Sequence, residues 1–251
     1  MPHEDLDGED RSVLSRPAAS PHAQWSYGPG PEQVADVYLP ADATGGPLVL
    51  VHGGFWRPEY DRAHLRPLAS ALAAAGHPVL SLEYRREPGR PEASVDDLHL
   101  ALDTLATQPP PGWPSVGSTA VGHSAGGHLV LLLAASGHPS IDAVVALAPV
   151  ADLRMGEEQA LDEDAVTAFL GRSSTDRSRF DPAQRPPAVP VTVLHGARDS
   201  IVPIALTHSY AAGVDLVTVR ELLDSGHFEL IDPEADAFAD LLSVLAAAGI
   251  E

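Results

Sequence analysis

The chain of 251 residues has no cysteine, so neither a disulfide framework nor a thiolate metal site can be built from it. Long apolar runs are missing too: none approaches the roughly 20 residues of a membrane span, and no membrane partner is expected. Positive charge is scarce. Fifteen Lys and Arg stand against 35 Asp and Glu, a formal net charge of −20, which disfavours phosphate backbones and anionic lipid because like charges repel. Nucleic acid is therefore not an expected partner. The N-terminal "MPHEDLDGEDRS" lacks the basic and apolar regions of a secretory signal, which makes the cytoplasm the expected location.

Apolar residues make up 44% of the chain, enough for one large core, and a single domain is expected. The first 26 residues are polar and aperiodic and read as a flexible arm on which no chemistry depends. From residue 27 to 251 the pattern alternates between strand and helix. "QVADVY" (33–38) alternates as a half-buried strand does, and "PLVLVH" (47–52), "PVLSLEY" (78–84), "STAVGH" (118–123), "IDAVVALAP" (141–149), "VTVLHG" (191–196) and "DLVTVREL" (215–222) are further strands. Helices fit the Leu65, Leu68 and Leu72 spacing, residues 95–106, residues 127–136 and residues 204–212. A last helix is expected to open with Asp232 as N-cap and Pro233 at its first position, and to close before Gly249. Such alternation predicts an α/β fold, a mostly parallel sheet covered by helices on both faces. Residues 151–190 break the rhythm, being acidic and only locally helical, and read as a cap over the strand ends.

Between a strand and a helix lies Gly122-His123-Ser124-Ala125-Gly126, a G-x-S-x-G pattern. Serine is a poor nucleophile until a base takes its proton, and the base works best when a carboxylate orients it. The chain offers both partners at strand ends: Asp199 in "HGARD" and His227 in "SGHFEL". The order Ser, Asp, His and the strand–turn–helix context make Ser124 a candidate nucleophile in a nucleophile elbow. A helix N-cap is the plainer explanation of that serine. "HGGFW" (52–56) follows a central strand, and the backbone N–H groups of Gly54, Phe55 and Ala125 are candidate oxyanion donors. Of the rivals, His195 is expected to bond within its own turn, His208 lies in a helix, and Asp224 is too near His227 in sequence to need a fold. With no H-E-x-x-H and no close His cluster, neither a metal nor another cofactor is expected.

With these residues, "HGGFW", "GHSAGGHL" and "GHFELID", the chain resembles the alpha/beta-hydrolases from about Tyr27 to its C-terminus. Within them it is similar to the kynurenine formamidase (arylformamidase) and small carboxylesterase branch, related to hormone-sensitive-lipase-like esterases. The resemblance implies Ser124 as nucleophile, His227 as general base and then acid, Asp199 as its orienting carboxylate, and oxyanion donors at Gly54, Phe55 and Ala125. It departs from formamidases in having phenylalanine where they often have tyrosine after "HGG", and in "LEYRR", where related enzymes commonly show Asn or Asp before the tyrosine. Trp56, Tyr84 and Phe228 adjoin the catalytic turns and are candidate substrate-binding residues, with core packing the equal alternative. Acids of the cap, Glu157, Glu158, Asp162, Glu163 and Asp164, are better explained as a solvated face. The expected activity is hydrolysis of a small carboxylic ester or amide through an acyl-enzyme. Aryl-formamide hydrolysis is the second reading; aminopeptidase, acyltransferase and non-catalytic receptor follow.

Overall fold

The computed structural model describes residues 8–247. Eight strands form one sheet: β1 (Ala23–Ser26), β2 (Val34–Tyr38), β3 (Leu48–Val51), β4 (Val79–Leu82), β5 (Ser118–His123), β6 (Ile141–Leu147), β7 (Val191–Gly196) and β8 (Val217–Leu222). Their order is β1-β2-β4-β3-β5-β6-β7-β8, with β1–β2 and β2–β4 antiparallel and all other neighbours parallel. The helices are α1 (Arg66–Ala74), α2 (Pro91–Thr107), α3 (Ala125–Ser136), α4 (Leu153–Glu158), α5 (Leu161–Leu170), α6 (Ala205–Ala211) and α7 (Ala237–Ala247). This is the mostly parallel α/β sheet expected, with helices and a core on each of its faces. No helix among the described residues is long and apolar enough to cross a membrane.

Burial follows the alternation of the pleat. Every residue of β3 is buried, yet Val49 and Val51 join the core beneath α2 and α3, whereas Leu48 and Leu50 join the one beneath α1 and α7. Each such fully buried leucine contributes about 1.5–3 kcal/mol of transfer free energy. Helix α3, apolar around almost its whole circumference, is buried along its length, as a helix lying against the centre of a sheet must be.

Three expectations differ from the structure. Residues 8–26 are not a loose arm: a 3₁₀ turn at Ser12–Ser15 buries Val13 in the α1/α7 core, Arg16 pairs with Asp232, and β1 edges the sheet. The earlier part of the expected arm, residues 1–7, lies outside the described residues. The last helix starts at Ala237 rather than after Asp232: the Asp232 carboxylate, held by Arg16 (2.8 Å from Nη2), accepts from the N–H of Glu234 (2.8 Å) but closes only a turn, in which Ala235 N–H donates to its carbonyl (3.1 Å). Its expected closure before Gly249 falls beyond the described residues. Finally, residues 151–190 are more helical than the single local helix expected: they hold α4, α5 and two 3₁₀ turns, and Asp162, Glu163 and Asp164 within α5 have positive φ (44°, 56° and 63°). Arg57 grips that left-handed stretch through the carbonyl (2.7 Å) and the carboxylate (2.8 Å) of Asp162.

Candidate active site

The register of the parallel strands sets the site. Val51 of β3 is level with Gly122 of β5, and His123 with Leu147 of β6, so the turns that leave β3 and β5 touch. A Cβ on Gly53 would sit 3.0 Å from the Ser124 Cβ, and one on Gly126 would sit 2.2 Å from the carbonyl oxygen of Val51. Glycine at 126 is what lets α3 start this close to the sheet. Ser124 itself has φ 55° and ψ −116°, a conformation costing a non-glycine residue about 1–3 kcal/mol. Neighbouring strands hold it there. Its N–H donates to Leu147 (2.8 Å), and its carbonyl accepts from His128 (3.0 Å) and Val150 (3.3 Å). The serine is therefore more than a helix cap: no side-chain capping bond is made, and the backbone is strained to present the residue.

The turns after β7 and β8 bring Asp199 and His227 together. Asp199 Oδ2 accepts from His227 Nδ1 at 2.7 Å, while Oδ1 accepts from the N–H groups of Ile201 (2.9 Å) and Val202 (2.7 Å). Burial alone would raise this carboxyl, but hydrogen bonds from His195 and His227 outweigh it and hold the carboxyl well below its ordinary range. Asp199 is thus an anion at any pH where a hydrolase works. With Nδ1 donating to it, the imidazole keeps its Nε2 lone pair for a proton. His195 bonds within its own turn, to the carbonyl of Val202 (2.9 Å) and to Thr207 Oγ1 (2.8 Å). His208 pairs with Glu221, and Asp224 pairs with Arg198 on the surface.

The peptide of His227 is anchored at both ends, which nothing in the sequence announced. Its N–H donates to Glu9 (2.7 Å), and its carbonyl accepts from His123 Nε2 (3.1 Å). His123 is held neutral: burial pushes it well below its ordinary value, and the nearby His227 adds to the shift.

Ser124, His123 and His227 line one cavity of about 870 Å³, shared with Gly54, Phe55 and Phe228. Gly54 and Phe55 have positive φ (101° and 48°), so the turn after β3 is itself coiled tightly beside the serine, and Ala125 opens α3 directly after it. Of the three aromatics singled out in sequence, only Phe228 reaches the cavity. Trp56 is buried against α5, stacked on Phe169 (4.4 Å) with its edge against His128 (5.1 Å). Tyr84 is fully buried, stacked on His52 (4.4 Å) and donating to the His52 carbonyl (2.8 Å). Both are packing residues, because the turns carrying them direct those rings into the core. The cap acids divide as well: Asp162 and Glu163 line the cavity, whereas Glu157 is taken up by Ser174.

Residues 48–204 match a protein family described as having the alpha/beta hydrolase fold. An acetyl-hydrolase of Streptomyces hygroscopicus is 39% identical over 125 residues, 47% of this chain and 40% of that protein. The esterase LipC of Mycobacterium tuberculosis is 29% identical over 86% of this chain and 63% of its own length. The chain thus spans about two fifths to two thirds of these relatives. Among solved structures, an inhibited esterase B from Lactobacillus rhamnosis superposes with a TM-score of 0.75 at 21% identity, covering 94% of this chain and 91% of that one.

Proposed function

The chain belongs to the alpha/beta-hydrolase family, and from that premise we propose that it is a serine hydrolase cleaving small carboxylic esters through an acyl-enzyme. One observation carries the reading. A strained serine and a histidine paired at 2.7 Å with a buried carboxylate open into the same cavity, of a size suited to a small molecule. Ser124 Oγ attacks the ester carbonyl carbon while His227 Nε2 takes its proton, and Asp199 offsets the imidazolium that forms. The tetrahedral oxygen carries a full negative charge, which N–H groups of Gly54, Phe55 and Ala125 hold without reorganising. Collapse expels the alcohol, which leaves with the proton from His227. Water then gives its proton to His227 and attacks the acyl carbon, and Ser124 departs as the hydroxyl with a carboxylic acid released. Ester rather than aryl-formamide hydrolysis is favoured by the similar proteins, which are named as an acetyl-hydrolase and esterases. The phenylalanine at 55 and the Glu83-Tyr84 pair depart from the formamidase pattern in the same direction.

The test is covalent. A fluorophosphonate should modify Ser124 in the folded protein, and Ser124→Ala should abolish p-nitrophenyl acetate hydrolysis without changing the circular dichroism spectrum. Retained turnover would point to another nucleophile. Faster turnover of N-formyl-kynurenine than of acetate esters would replace the ester reading with the formamide one.

A further inference from the structure

We propose that Glu9 is a positioning residue for the catalytic base, which makes the N-terminal segment part of the active site. The inference rests on the serine-hydrolase reading of Ser124, Asp199 and His227. Glu9 is only 3% exposed, an unusual place for a carboxylate in a polar stretch far from the rest of the core in sequence. Its two oxygens serve two different turns. Oε1 accepts from the backbone N–H (2.8 Å) and the hydroxyl (3.0 Å) of Ser200, the residue after the triad acid, while Oε2 accepts from the N–H of His227 (2.7 Å). One rigid planar group thus ties the turn after β7 to the turn after β8. The molecule makes room for it: a Cβ on Gly226 would fall 2.4 Å from Oε2, so any larger residue there would push the carboxylate from its place.

Glu9 completes a three-way hold on the base. The His227 ring is oriented by Asp199, its carbonyl by His123 from the elbow, and its N–H by Glu9. The first bond fixes the ring relative to the acid and the second ties the carbonyl to the elbow. Bonds from Arg198 N–H to the Ser225 carbonyl (3.0 Å) and from Gly226 N–H to Glu229 (3.1 Å) hold the rest of the turn, and the Glu9 bond fixes the N–H as a third point. Without it a buried N–H loses its acceptor, and proton transfer is sensitive to displacements of about 1 Å. The same segment reaches the cavity itself: Arg11 lies over the Phe228 ring (4.9 Å to its centre), and Arg11 and Leu14 both line the cavity wall.

Burst titration with a fluorophosphonate counts competent sites, so kcat for p-nitrophenyl acetate can be expressed per titrated site in the full chain. Glu9→Ala should lower that per-site kcat by about tenfold or more with KM within about twofold. Glu9→Gln retains one acceptor oxygen at the same reach and should recover part of the loss, to within about threefold of the wild type. A merely structural brace behaves differently: the titrated fraction or the Tm falls while per-site kcat stays at the wild-type value, and that result overturns the proposal. Should Glu9→Ala fail to fold, Glu9→Asp decides by the same measure: its shorter side chain cannot reach both turns, so a fall of about tenfold in per-site kcat supports the proposal and an unchanged value overturns it. A wild-type protein that takes no label at Ser124 fails differently, removing the hydrolase reading on which the inference stands.

Discussion

Two histidine–carboxylate pairs lie beyond the C-terminal ends of the strands, His52 and Glu83 after β3 and β4, His227 and Asp199 after β8 and β7, and they are built for opposite ends. His227 and Asp199 meet at 2.7 Å, and His52 and Glu83 at 3.0 Å, with all four side chains at most 5% exposed. The difference lies in the company they keep. Glu83 is ringed by cations, Arg62 (3.2 Å) and Arg86, and its carboxyl is held far below the ordinary range by His52 and Arg86 against the effect of burial. Its charge is fully compensated in the resting protein. Among the described residues Asp199 has no guanidinium beside it, only N–H donors and two imidazoles. Its charge is left for an imidazolium to complete, and His227 can complete it only by taking a proton. What sets the proposed dyad apart is an anion with no cationic partner among the described residues, lying behind a histidine that lines the cavity.

The largest break in that contrast comes from Asp199→Asn. The amide cannot hold the tautomer or offset the imidazolium, and kcat should fall by roughly 10⁴-fold with KM nearly unchanged. Glu83→Gln should act on the other axis. Leaving Arg62 and Arg86 without their anion should cost about 3–5 kcal/mol in urea unfolding, while per-site kcat falls far less than in Asp199→Asn. If Glu83→Gln instead matches Asp199→Asn in rate and keeps its stability, the two pairs are not different in kind.

Histidines without a carboxylate sharpen the comparison through pH. His123 and His128 are held neutral by burial, His128 down to about 4 despite its bond to the Phe180 carbonyl. Below the ordinary histidine value of about 6.5 the unfolded chain takes up protons that the folded one refuses, so stability should fall as pH drops from about 6.5 toward about 4. Each contributes at most about 1.4 kcal/mol per pH unit, and His128→Gln should remove one such share from the slope of unfolding free energy against pH. Asp199 and Glu83, whose carboxyls are lowered, have the opposite window: their stabilisation is complete above the ordinary carboxylate value near 4 and is lost only in stronger acid. The smallest effect belongs to Asp224→Asn. Because Asp224 pairs with Arg198 at the surface, both rate and urea midpoint should stay at wild-type values, and a large rate loss would reopen the choice of triad acid.

The strands and turns that carry the proposed triad were legible because each is a local signal. The strands Ser118–His123 and Val191–Gly196 have the bounds read from their apolar runs, since a glycine-bearing turn punctuates each. What the sequence missed depends on partners remote in the chain. Polarity around Glu9 reads as solvation until the N–H of His227, 218 residues away, supplies a partner. Asp232 has every mark of an N-cap, yet Arg16, 216 residues away, claims it. Trp56 and Tyr84 adjoin catalytic turns in sequence, but adjacency does not say to which side a turn directs a ring. Strand β1, four residues on a sheet edge and mostly exposed, has too little periodicity to be seen.

The coiled backbone at residue 124 also restricts which alcohols the site can use. At a φ of 55° a branched β-carbon collides with its own main chain, so threonine, with the same hydroxyl and a comparable nucleophilicity, is shut out by conformation rather than by reactivity. On the proposed reading, the choice of serine as nucleophile is written into the main chain before any substrate arrives.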